Sequence, residues 1–160
     1  MYFIKSLFRK KRKIKACQVY KTQKSYKVLT MYRQESWAFL SSKPIYKIPV
    51  ESDLEKLSSK IFESINHSRS IKEKEENSFW LGKNLLEELN ENSFNQLYKE
   101  STSCIILLEN NILEITPYRY IGRNKGMEEI SEKTIKVKFL QEQQLDITRK
   151  IVKILEQKNI

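Results

Sequence analysis

The chain has 160 residues, with 30 Lys or Arg against 20 Asp or Glu, and its net charge of +10 sits entirely at one end. Residues 1–27 hold ten cations and no acid, the first acid being Glu35, so residues 28–160 balance at twenty of each. No run approaches the ~20 apolar residues of a membrane span, and only three Gly and three Pro argue against a turn-rich sandwich.

In chain order, the basic stretch comes first. Phe3, Ile4, Leu7, Phe8 and Ile14 recur at helical spacing among Lys5 and the run 9–13. This is the pattern of a short basic amphipathic helix or of a solvated tail kept apart by like charges. The division expected is a basic arm over 1–25 and one domain over 26–160. The arm lacks the apolar segment that a signal peptide places after its charges, and the expected location is the cytoplasm.

The domain opens with strand signals. Residues 26–33 alternate Tyr26, Val28, Thr30 and Tyr32 with Lys27, Leu29, Met31 and Arg33; 37–40 answer as a second strand and 45–48 as a third, ended by Pro49. Ser52 and Glu55 have the spacing of a capping box. Leu54, Leu57, Ile61, Phe62 and Ile65 follow as one helical stripe. Residues 69–77 are expected to be a solvated connector, and 79–91 a second helix.

Residues 104–108 are a short apolar run ended by Asn110-Asn111, a turn signal. Residues 112–121 return as its hairpin partner, with Leu113, Ile115 and Ile121 on one face and Glu114, Thr116, Tyr118 and Tyr120 on the other. A Gly-containing loop over 122–126 leads to a last strand at Ile135, Val137 and Phe139. A terminal helix over 140–158 then carries Ile147, Ile151, Ile154 and Leu155. The order βββ-α-α-βββ-α predicts an α+β fold, a mostly antiparallel sheet packed by helices.

Chemistry leaves few marks. His67 is the only histidine, and no nucleophile stands at a recognisable spacing from a base. Cys17 and Cys104 make no metal or redox spacing. Cys104 reads as a buried small hydrophobe and Cys17 as a free thiol. Gly122 and Gly126 fit neither nucleotide fingerprint. Glu87-Glu88 and Glu128-Glu129 are sequence neighbours whose side chains diverge on a helix. Neither an enzyme nor a cofactor or metal site is expected.

What remains is surface. Trp37 beside Tyr32 and Arg33, and Tyr118, Tyr120 and Arg123 at a strand end, are the residue types that dominate binding hot spots. They also suit base stacking and phosphate contact.

Three passages resemble the immunity proteins of bacterial contact-dependent growth inhibition systems (CdiI type). They are the extended start over 26–42 leading into IPVESDLEKLSSKIFESINHSR (residues 48–69), the segment FWLGKNLLEELNENSFNQLYKESTSCIILLENNILEITP (residues 79–117), and the closing helix after Phe139. The likeness covers roughly residues 26–157 and rests on apolar spacing together with Ser68, Arg69 and Pro117. It implies a non-enzymatic antidote that binds the C-terminal toxin domain, commonly a nuclease, of a cognate cell-surface effector.

Trp37, Arg69, Tyr118, Tyr120 and Arg123 are the candidate partner contacts. Two other readings follow from charge. A nucleic-acid binder would use the arm on phosphates and exposed aromatics on bases; a peripheral membrane protein would be held by the arm.

Overall fold

The centre of the sheet is built from the basic N-terminal stretch. In a computed structural model describing residues 12–157, β1 (Lys15–Lys21) lies between β2 (Ser25–Arg33) and β4 (Thr102–Glu109), antiparallel to both. Ala16, Cys17 and Val19 are fully enclosed. The domain boundary expected at residue 25 therefore falls inside the fold, since residues 15–21 are a strand of the sheet. Lys15 and Lys21 sit at the strand ends, where cations reach solvent; Lys15 Nζ donates to the Asn66 carbonyl at 3.2 Å. Those end charges hide a strand whose interior, Ala16 to Tyr20, is largely apolar. Most of the helical pattern expected over residues 3–14 lies outside the described residues.

Thr22 closes the β1–β2 turn by donating from its amide to the Ser25 carbonyl at 2.9 Å, and its hydroxyl accepts from the Ser25 amide at 3.1 Å. Beyond β2 lies β3 (Phe39–Pro49), one strand rather than the two expected. Its pairing shifts opposite Leu29 and Thr30, so that Lys43 and Pro44 are skipped by the ladder. β3 is an edge strand, where a residue without an amide hydrogen is tolerated.

On the other side, β5 (Ile112–Gly122) pairs with β4 and is long enough to serve two further strands. Its first half pairs with β7 (Ile135–Lys138), and its second with β6 (Gly126–Glu129), a strand that was not expected. The sheet order is β3-β2-β1-β4-β5-β6, with β7 also on β5.

Helices cover both faces. α1 (Leu54–His67) buries Leu57, Ile61, Phe62 and Ile65, the predicted stripe. Its N-cap is Asp53, which accepts from the Lys56 amide at 2.8 Å, one residue after the Ser52 expected. With α5 (Gln144–Leu155) it packs on Val19, Val28, Ile106, Leu113 and Ile115 as the main core. Cys17 and Cys104 are free and buried here; burial pushes the Cys17 thiol well up and that of Cys104 to about 12.

The connector and single second helix expected over 69–91 are instead two short helices. α2 (Glu73–Phe79) is started by Glu75, whose carboxylate accepts from the Lys72 amide at 2.8 Å, and α3 (Asn84–Leu89) follows after Gly82 at φ +53. A side chain at Gly82 would meet the strain of left-handed backbone, and the chain breaks there. α4 (Phe94–Glu100) is capped by Ser93, which accepts from the Gln96 amide at 3.1 Å. α3 and α4 close a second core around Tyr20, Leu29, Leu89 and Leu97. α2 closes a third around Tyr32, Leu40, Ile71 and Phe79. The α+β class holds, with a seven-stranded antiparallel sheet between helices.

Candidate partner-binding surface

Strand register separates the five candidates into two groups. Met31 pairs with Ala16, so Arg33 and the following loop lie at the end of the sheet where β1 begins. Tyr118 pairs with Ser103, and Ser103 with Tyr20, which places Tyr118, Tyr120 and Arg123 at the opposite end. The five do not make one surface.

At the β5 end, the tyrosines are half-buried rather than displayed. The predicted alternation holds for Leu113 and Ile115, which face the main core, and fails at Ile121, which is exposed beside a register shift; the other face is covered as well. α4 packs on β5 and β6, and the Tyr120 hydroxyl donates to Asn95 Oδ1 at 2.9 Å. Burial pushes the Tyr118 phenol above its ordinary value, and the charge of Glu129 adds to the effect. Arg123 alone is exposed, in the turn 123–125. A cleft of about 540 Å³ at this end is lined by Lys24, Lys27, Lys47, Glu91 and Glu100. Its most buried charge is already neutralised: Lys27 forms an ion pair with Glu91 and donates to the Leu89 carbonyl.

At the other end, Arg69 is held by its neighbours. Its guanidinium bonds Glu75 Oε1 at 2.9 Å and lies 5.3 Å from the Phe79 ring centre. The Arg69 guanidinium, aided by the Lys72 amide, pulls the Glu75 carboxyl down to about 2. Phe79 in turn meets Tyr32 edge-on at 4.5 Å. Arg69 thus locks α2 onto the sheet, while its own backbone carbonyl accepts from the Arg33 amide at 3.1 Å.

Trp37 is different. Residues 34–38 join β2 to β3, and Glu35, Ser36 and Trp37 form a three-residue loop closed by the Gln34 amide donating to the Ala38 carbonyl at 2.9 Å, with the Trp37 amide donating to the Gln34 carbonyl at 3.0 Å. Such loops need left-handed backbone at the third residue, usually Gly. Here that residue is Trp37, at φ +72, and it is 67% exposed. A bulky side chain in this conformation is an outlier costing about 1–2 kcal/mol. The exposed position returns none of that cost through core packing.

Trp37 also has a support that sequence reasoning missed. The Arg33 guanidinium lies 3.5 Å from the centre of its ring, a cation–π stack, while the Arg33 residue is only 6% exposed. Arg33 Nη1 donates to the Arg12 carbonyl at 3.1 Å. Arg12, Arg33, Glu35, Trp37, Ile71 and Lys72 line a cleft of about 420 Å³. The absence of Gly from so short a loop was the legible signal; the arrival of Arg12 and Lys72 beside it was not. His67 lies at the end of α1, where its ring nitrogen meets the Glu63 carbonyl at 2.9 Å. Among the described residues no three His, Cys, Asp or Glu group together as metal ligands.

Solved structures share this architecture. A protein of unknown function from Neisseria meningitidis superposes with a TM-score of 0.67 at 14% identity, covering 89% of this chain and 93% of that one. A chain of the CdiA-CT/CdiI toxin and immunity complex from Yersinia pseudotuberculosis superposes with a TM-score of 0.62 at 11% identity, covering 89% of this chain and 95% of the other. No protein-family model and no curated protein matches the sequence. At these identities the likeness is one of fold.

Proposed function

We propose that the protein is an immunity protein: it binds the toxin domain of a cognate contact-dependent growth inhibition effector and neutralises it by occlusion, without chemistry of its own. The supporting observation is the fold shared across nearly the whole of a chain from a toxin–immunity complex. Trp37 adds to it, because a strained, exposed Trp serves binding better than folding. The toxin is a nuclease in this reading, delivered from the surface of a neighbouring cell, and the encounter takes place in the cytoplasm. No helix among the described residues is long and apolar enough to cross a membrane.

The test is growth of cells expressing the toxin domain encoded beside this gene, with and without this protein. Rescue by the full chain, together with a complex of the two proteins of nanomolar affinity, is the expected result. Folded full-length protein that neither rescues nor binds would overturn the reading. A nucleic-acid binder would instead show affinity for oligonucleotides falling steeply with salt, as each phosphate contact releases counterions.

A further inference from the structure

We infer that the cleft between the β2–β3 loop and residues 70–72 is a socket for a carboxylate of the protein partner, received on Arg33 and Lys72 against the face or edge of Trp37. This rests on the proposed immunity function and names the chemistry the partner must present.

The argument starts from Arg33. The residue is only 6% exposed, yet among the described residues it takes part in no ion pair, and its side chain donates to a neutral carbonyl, that of Arg12. A guanidinium has five N–H donors in a rigid fork. A partly desolvated charge without a counter-charge is costly, and the Trp37 ring face offsets only part of that cost; no Arg33 nitrogen is both buried and unpartnered. The remaining donors belong to a residue that lines the cleft, where a planar bidentate acceptor would satisfy them.

The rim has the same sign. Lys72 and Arg12 line the cleft with Arg33, against the single acid Glu35. Arg12 lies 3.6 Å from Glu109 and is mostly exposed; Lys72 has no ion-pair partner among the described residues. An anion is therefore drawn towards this end of the sheet and finds a forked donor at the bottom of it. Volume and composition favour a protein side chain over a nucleic acid. About 420 Å³ holds one or two side chains, and an aromatic anchor ringed by a few charges is the anatomy of a protein hot spot. Strand-tracking grooves need successive stacking platforms instead. Closing the socket on an Asp or Glu removes the Arg33 charge from water together with its counter-charge, which makes binding specific for a partner that presents a carboxylate there.

The test uses the full-length protein. Binding of the cognate toxin domain is measured by calorimetry for the wild type, Lys72→Glu and Arg33→Met, each checked for native circular dichroism. Lys72 is exposed, so its variant keeps the fold even where Arg33→Met does not. At least tenfold weaker binding by Lys72→Glu, and a larger loss for a folded Arg33→Met, is expected. Wild-type-like binding by Lys72→Glu would overturn the socket while leaving the immunity function intact.

If the wild type binds no toxin domain, the immunity reading fails, and the socket is judged by itself. Hexaglutamate and a six-nucleotide single strand are titrated while the Trp37 indole N–H is followed by NMR. A shift with hexaglutamate that Lys72→Glu abolishes supports the socket. A shift with the oligonucleotide alone, or with neither, overturns it.

Discussion

Ser68 accepts a hydrogen bond from the Ala16 amide at 2.8 Å, across 52 residues of chain and in the buried interior. The same hydroxyl donates to the Met31 carbonyl at 2.5 Å. Ser68 is the residue that caps α1 at its C-terminus, so one side chain ties the end of that helix to β1 and β2 together.

Replacing Ser68 by Ala strands both backbone groups in a site closed to water. Each buried group left unsatisfied costs about 1–3 kcal/mol. Ser68→Ala is expected to lower the urea midpoint markedly with an unchanged slope, the mark of lost stability in an intact native state. A midpoint shift below about 0.5 kcal/mol equivalent would show that solvent reaches the site.

Trp37→Gly separates folding from binding. Glycine removes the left-handed penalty of about 1–2 kcal/mol and forfeits a cation–π contact of about 0.5–1 kcal/mol. Stability is expected to stay level or rise slightly, while affinity for the partner falls at least tenfold. Thermal melting and a binding isotherm on the same sample check both halves. A clear loss of stability with full affinity would make Trp37 a structural residue.

The Lys27–Glu91 pair is nearly closed to solvent, with side chains 6% and 15% exposed. Removing one partner leaves a buried charge alone, at roughly 3–5 kcal/mol. Glu91→Leu is therefore strongly destabilising. The double variant Lys27→Met with Glu91→Leu recovers much of the loss, because apolar residues of similar volume need no desolvation of charge. A double variant no better than the sum of its singles would show that the two charges act independently.

Arg69 and Glu75 predict an acid dependence of known sign. The Glu75 carboxyl is held at about 2, below its ordinary 4.5, by the Arg69 guanidinium first and the Lys72 amide second. A depressed carboxyl contributes stability that is fully present above the unfolded value and lost as pH falls through the folded one. The stability gap between wild type and Glu75→Gln is thus expected to be constant above pH 5 and to close between about 4.5 and 2. Urea midpoints across that range measure it. The pair is exposed, so added salt shrinks the gap at every pH. A gap that does not change with pH would assign the contribution to packing of α2 alone.

Periodicity alone determined a large part of this fold. The stripe of α1, the alternation of β5 and the core face of α5 are each written within a dozen residues, because a helix or strand that buries one face must repeat its apolar side chains at its own period. The antiparallel α+β class followed from their order. The tertiary structure decided what depends on distant partners. The short apolar interior of β1 is masked by the cations around it, and it becomes the central strand only because β4 arrives from some 85 positions away, as the Gln18–Ser103 hydrogen bond shows. Tyr118 and Tyr120 look free along the chain and are covered by α4 in space. Trp37 stood out as a candidate contact but was expected within a strand over 37–40, whereas it lies in the loop before β3. Its left-handed backbone, the buried Arg33 beneath it and Lys72 beside it were not legible, since charge placed by long-range pairing has no local pattern to read.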